Sequence, residues 1–258
     1  MRTTNVFVDL LKAGSILACS FLAACAPKSE TTASTAPVVI EAAATNSTGE
    51  GAHALMTASV PPADYDGRIA ALRQAPGIAN VLVLQMQPAT EPPGFQSLAI
   101  VEFKDELSLN TWMSSEGARS DPSVKIRPAD VLAHDASEGA AAAATDSFYV
   151  VNHYEALVSP ADYKIYTEKY VVPNMAHQKS TGAMLGYTMY IEREPESIKP
   201  MAVLVKQYVS AEEHTRAEQA KDAYKRDVLL KQQEWKQIND TKANVRNDLT
   251  ETLARPVS

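Results

Sequence analysis

Two cysteines are all that this 258-residue chain contains, and both, Cys19 and Cys25, fall within its first 25 residues. The remainder has no thiol, which removes disulfide staples, thiolate nucleophiles, cysteine-ligated zinc and iron–sulfur clusters. Positive charge is also scarce: 24 Lys and Arg against 31 Asp and Glu leave a formal charge of −7. Nucleic acid needs a basic footprint to neutralise phosphates, and anionic lipid headgroups need a polybasic one, so neither is an expected partner surface. Long apolar runs are missing too. The stretch from Gly14 to Ala24 falls short of the roughly 20 apolar residues that cross a hydrocarbon core. No Gly-rich phosphate loop, HExxH, nucleophile elbow or His/carboxylate metal spacing occurs.

What the N-terminus does contain is a basic start (Arg2, Lys12), the short apolar run, and then Leu22-Ala23-Ala24-Cys25. That order reads as a secretory signal. Leu-Ala-Ala-Cys resembles the lipobox of bacterial lipoproteins, in which the cysteine is acylated and becomes the mature N-terminus. The resemblance implies export, a signal over residues 1–24 and a lipid anchor at Cys25, with the outer membrane favoured because Ala26 rather than Asp follows. Two or more acyl chains give a stable anchor where one gives marginal binding. Cleavage there removes Arg2, Lys12 and Asp9 and shifts the charge from −7 to −8.

Residues 25–52 are rich in Ala, Thr, Ser and Pro and read as a flexible tether, on the order of 30 Å end to end as a coil. A second break, residues 133–147, carries five consecutive alanines (Ala140 to Ala144) and reads as a connector. The segments 53–132 and 148–256 share an element order. Val60-Pro61-Pro62-Ala63-Asp64-Tyr65 and Val158-Ser159-Pro160-Ala161-Asp162-Tyr163 match at five of six positions, 98 residues apart. Each opens a helix, since proline suits the first turn and Ser159 with Asp162 forms a capping box. The first half predicts a strand from His53 to Val60 and a helix striped by Tyr65, Ile69 and Leu72. Strands Val81–Leu84 and Leu98–Phe103 follow, then a helix capped by Asp105 with Leu109, Trp112 and Met113 inward. A last strand runs from Val124 to Leu132, with Pro128 pointing to a sheet edge.

The second half predicts strands at Phe148–Ala156, Gly182–Ile191, Met201–Val209 and Val245–Leu253. Its helices are striped by Tyr163, Tyr166 and Tyr170, by Ala217, Tyr224 and Val228 after a Ser210/Glu213 capping box, and by Trp235 and Ile238. The fold class is α+β: two tandem ferredoxin-like βαββαβ units, each an antiparallel sheet with helices on one face. Packing the uncovered apolar faces together makes an intrachain pseudo-dimer. This double unit resembles the dimeric α+β barrel superfamily. The second half resembles the NIPSNAP family in Glu234-Trp235-Lys236, Thr241-Lys242-Ala243 and the closing Leu253-Ala254-Arg255-Pro256. The first half is similar to monooxygenase-type or stress-responsive barrels. That superfamily includes oxygenases, haem-handling proteins, decarboxylases and members without activity, so the resemblance implies a fold.

Single residues supply the candidate site. Asn152, His153 and Tyr154 form a polar triplet in an otherwise apolar strand. A histidine near its ordinary pKa of about 6.5 can move a proton. His177, in Pro173-Asn174-Met175-Ala176-His177, is placed between the tyrosine-striped helix and the next strand, as a haem ligand or general base. Nine of the ten tyrosines lie in the second half. Tyr154, Tyr187 and Tyr190 are candidates, with Asn152, for holding a small apolar or aromatic ligand, although tyrosines at helical spacing also fill cores. Trp112 and Trp235 read as packing anchors. Gly182 and Gly186 permit a turn, a bulge or a close approach. The leading expectation is a lipid-anchored binding module for a small molecule or protein, with no resident cofactor or metal. The alternatives are a cofactor-independent or haem-associated oxygenase using His153 or His177, and a purely structural lipoprotein.

Overall fold

The computed structural model describes residues 51–88, 95–115, 121–193 and 199–257. The signal, Cys25 and nearly all of the tether lie outside them. Eight strands are β1 (Ala52–Ala58), β2 (Ile78–Met86), β3 (Ser97–Phe103), β4 (Val124–Ala136), β5 (Phe148–Ala156), β6 (Met184–Glu192), β7 (Met201–Tyr208) and β8 (Arg246–Pro256). Helices α1 (Tyr65–Arg73) and α2 (Glu106–Ser114) belong to the first half. The second half carries α3 (Pro160–Tyr166), α4 (Val172–Ser180), α5 (Ala211–Asp227) and α6 (Gln233–Thr241). Local chemistry sets the helix starts. Asp105 accepts from Ser108 N–H at 2.7 Å, Ser159 Oγ from Asp162 N–H at 3.2 Å, and Ser210 Oγ from Glu213 N–H at 3.2 Å.

All ladders are antiparallel, and the strands close into one barrel in the order β1-β3-β2-β8-β5-β7-β6-β4. Each half supplies four neighbouring strands in the ferredoxin-like order, β4-β1-β3-β2 and β8-β5-β7-β6. Two seams join them. At one, β4 pairs with β6 from Ala129 opposite Glu192 to Ala136 opposite Gly186. The other is short, Leu84 opposite Pro256 to Met86 opposite Ala254. Alternation along the strands then sorts side chains. Leu55, Leu84, Leu98, Ile100, Tyr149, Val151, Val203 and Val205 point into the barrel, where both halves meet in one core. Ala54, Met56, Ala99, Val101 and Phe103 point outward under α1 and α2, with Tyr65, Ile69, Leu72 and Leu109 above them. In the second half Val150, Tyr154, Leu204 and Tyr208 face α3 to α6.

Four expectations change. Pro128 does not mark an edge, because β4 pairs with β1 on one side and β6 on the other. Its carbonyl accepts from Arg193 N–H at 3.0 Å just past the last β6 pair, so its missing N–H faces the strand end and interrupts neither ladder. The same strand runs on to Ala136, four residues beyond the pattern, because β6 covers it. His177 is helical, in the last turns of α4. Pro173 does not break the segment, because Thr167–Val171 widen into a π-type turn in which Val172 N–H reaches back to Thr167 C=O. Val228 is not on the buried stripe of α5 but sits exposed beyond its end. The two glycines have different reasons. Gly182 ends α4 at φ +76°, while a Cβ on Gly186 would sit 3.1 Å from Ala136 Cα and from the Asp135 carbonyl across the long seam.

Leu84, fully buried in the barrel beside the short seam, tests the shared interior. Leu84→Ala is expected to lower urea-unfolding stability by about 2–5 kcal/mol, whereas Leu107→Ala, at an exposed position on α2, stays within about 0.5 kcal/mol.

Candidate functional site

The helix-facing side of the second sheet differs chemically from its first-half counterpart. Where the first half presents apolar side chains and one buried hydroxyl pair, Ser97 Oγ donating to Tyr65 Oη at 3.0 Å, β5, β7 and β8 present Asn152, Lys206 and Glu251 beside one another. Asn152 Nδ2 donates to Glu251 Oε2 at 2.6 Å, and Lys206 Nζ lies 3.4 Å from that oxygen. Above them the widened turn and α4 contribute Tyr170 and Asn174, α5 contributes Lys221 and Lys225, and Lys242 follows α6. Arg246 closes one end, its guanidinium 3.9 Å from the Tyr154 ring centroid and 2.8 Å from Asp248 Oδ1. These groups line a cleft of about 430 Å³.

Five cations against Asp222, Asp248 and Glu251 make this lining positive within an acidic chain. Lys206 is 3% exposed. Burial pushes its ammonium pKa below the ordinary lysine value, against the pull of Glu251 and Glu218, and Lys221 adds to the lowering. Burial acts on Glu251 in the opposite sense, but Lys206 and the Asn152 amide outweigh it and hold the carboxyl below its usual range. Two acceptors are left over. Asn152 Oδ1 and Asn174 Oδ1 are buried with no protein partner among the described residues. Their amide orientations are set by the bonds from Nδ2 to Glu251 and to the Tyr170 carbonyl.

The candidates from sequence distribute over both sides of the sheet. Asn152 and Tyr154 line the cleft. His153, one residue between them, points the other way, into the barrel end, where it helps to line a cavity of about 550 Å³ with Thr57, Phe95, Glu192, Met201 and Thr250. Phe95 meets the imidazole edge-on at 4.3 Å. Nε2 has no partner among the described residues, and burial lowers the histidine from 6.5 to about 4, so it is neutral at pH 7. His177 stacks on Tyr224 at 4.0 Å on the helical side and lines none of these cavities. Tyr187 is packed between sheet and helices, its hydroxyl pushed up to about 12 by burial. Tyr190 is in the barrel core, 5.7 Å from the His53 ring. The tyrosine stripe is core: Tyr163 meets Tyr166 at a tilt at 5.5 Å, and Tyr166, Tyr170 and Trp235 stack in series at 5.1 and 4.7 Å. Trp112 leans on Phe103 at 5.4 Å.

Sequence reasoning missed Lys206, Arg246, Glu251 and Asn174. Lys206 had a visible signal: it is the one charge within Met201-Ala202-Val203-Leu204-Val205-Lys206, at a position whose neighbours two residues away face the helices.

No protein-family model matches the sequence, and no curated protein matches it. Among solved structures, the chain is similar to an anthrone oxidase-like protein, with a TM-score of 0.54 at 12% identity over 81% of this chain and 92% of that one. A putative monooxygenase from Lactobacillus acidophilus NCFM aligns with a TM-score of 0.47 at 11% identity, over 80% of this chain and 94% of that one. The first of these likenesses supports the ferredoxin-like α+β barrel and speaks to the fold alone.

The histidine also yields a pH dependence. Unfolded, His153 takes a proton near 6.5; folded, it does so only near 4. Between those values the unfolded chain binds more protons, so stability rises with pH and is lost as pH falls through the window. His153→Leu is expected to flatten the change in unfolding free energy between pH 7 and pH 4 by on the order of 3 kcal/mol in denaturant titrations. His53 and His134, also lowered by burial, keep part of the slope in the variant.

Proposed function

We propose that this chain is a lipid-anchored envelope protein whose second half binds a small organic anion with an aromatic or apolar body. One observation carries the ligand class: Lys206, Lys221, Lys225, Lys242 and Arg246 converge on one cleft walled by Tyr154, Tyr170, Val171, Met175 and Leu204. A carboxylate, phenolate or sulfonate meets the cations. Tyrosine faces and aliphatic groups cover its body, and a ligand hydroxyl donates to Asn152 Oδ1 or Asn174 Oδ1. The anchor at Cys25 rests on the Leu22-Ala23-Ala24-Cys25 pattern.

The oxygenase alternative has one geometric support, the uncharged His153 Nε2 at the barrel-end cavity, where it can accept a proton from a substrate hydroxyl. Haem iron takes an axial His, Cys, Met or Tyr ligand. The cleft has no histidine or cysteine in its lining, and Tyr154 there is covered by Arg246, so the cleft does not suit a histidine-ligated haem. His153, on the opposite face of the sheet, is the donor such a group would use.

Calorimetric titration of the protein with benzoate- and arylsulfonate-class anions tests the binding reading. Arg246→Gln is expected to weaken binding roughly 10- to 100-fold, as loss of a hydrogen bond to a charged group does, and Lys225→Gln to weaken it less. No heat with any aromatic anion, together with no retained ligand in native mass spectra of protein taken from its own envelope, contradicts it. For the anchor, Cys25→Ser is expected to abolish acyl labelling and move the protein out of the membrane fraction. Unchanged labelling and fractionation reject the anchor.

A further inference from the structure

Lys206 is an unusual member of the cationic set, because each of its two carboxylate neighbours makes a shorter bond to another group. Glu251 Oε2 accepts from Asn152 Nδ2 at 2.6 Å, while the lysine stands off at 3.4 Å. Glu218 gives one oxygen to Lys221 in a short ion pair and leaves the other 3.9 Å from Lys206 Nζ. A committed ammonium–carboxylate pair sits at about 2.7–2.9 Å. The amine projects from β7 into the cleft, whose lining also includes Leu204, Tyr154 and Met175. Burial works against its charge, and Asn152 Oδ1, without a protein partner, lies in the same lining.

We infer that Lys206 is a nucleophilic lysine that captures an aldehyde or ketone carbonyl on an aromatic anion as an imine, with Glu251 moving the proton. The inference rests on the cleft binding such anions. In the step, Glu251 takes a proton from the Lys206 ammonium, and the freed Nζ lone pair attacks the carbonyl carbon. The C–N bond forms as the carbonyl π bond breaks onto oxygen, which takes the proton back from Glu251. The carbinolamine then transfers a second N–H proton to its hydroxyl through the same carboxylate, the C–O bond breaks, and water leaves. Lys–NH₃⁺ and O=CR₂ become Lys–NH⁺=CR₂ and H₂O, with charge and atoms conserved and no oxidant required. Desolvated lysines flanked by a second cation are suited to this chemistry, and Lys221 supplies that cation. Lys225, in the same lining, is available to the anionic group of the captured molecule.

The test uses 4-carboxybenzaldehyde with sodium cyanoborohydride on the full chain at neutral pH, read by intact mass and peptide mapping. The expected product is one adduct per chain, of probe mass less one water plus two hydrogens, on Lys206, with labelling there several-fold above Lys221, Lys225 and Lys242. Lys206→Arg is expected to lose the adduct, and 4-methylbenzoate, which has the anion and ring but no carbonyl, is expected to bind the wild type without forming one. If 4-methylbenzoate binds wild type but labelling is spread evenly over surface lysines, the imine assignment falls and the anion cleft stands. If 4-methylbenzoate does not bind and labelling is equally diffuse, both fall. Because the map is made on wild-type protein, a misfolded variant does not decide the outcome.

Discussion

A strand that is apolar on both faces has to be covered twice, and that requirement organises this molecule. In each half the helices cover only one face of a four-stranded sheet. Leu55, Leu98, Ile100, Val151, Val203 and Val205 line the other, and their burial depends on the second half being present. Closure also removes the sheet edges that two separate units would expose. The long β4–β6 seam and the shorter β2–β8 seam are the local consequences.

Once the barrel takes up the inner faces, the outer faces are free to diverge. On the first half the outer face is filled by Tyr65, Ile69, Leu72 and Phe103. On the second, the widened turn at Thr167–Val171 and the extra helix α6 hold the helical layer over a sheet carrying Asn152, Lys206 and Glu251. Asn152 and Lys206 are buried while Glu251 reaches solvent, and buried polar groups cost stability unless they are satisfied. Here the satisfaction is partial, with Asn152 bonded through its nitrogen and open at its oxygen. The cleft therefore leaves the Asn152 and Asn174 carbonyl oxygens without a protein partner among the described residues.

The fold was legible because its signals are local. Asp105, Ser159 and Ser210 announce helices within four residues of themselves, and the strand periods of β1, β3, β5 and β7 declare their own apolar faces. Pro128 misled because it was read by its intrinsic penalty, which a strand end accommodates. The site was less legible because it is assembled across distance. Asn152 was visible within its strand, but its partner Glu251 stands 99 residues away, and Arg246 reaches Tyr154 only because β8 pairs with β5. The polar triplet marked the right strand without showing that Asn152 and His153 serve opposite faces.

Native-state hydrogen exchange under mild denaturant tests the shared interior most directly. Ile100 on β3 and Val203 on β7 belong to different halves, and their side chains meet in the one barrel core that closure creates. Their amide exchange is predicted to converge on one opening free energy as denaturant rises. Two persistent, separate opening energies, with one half exchanging while the other stays protected, would show that each half folds for itself and that the common core does not hold the molecule together.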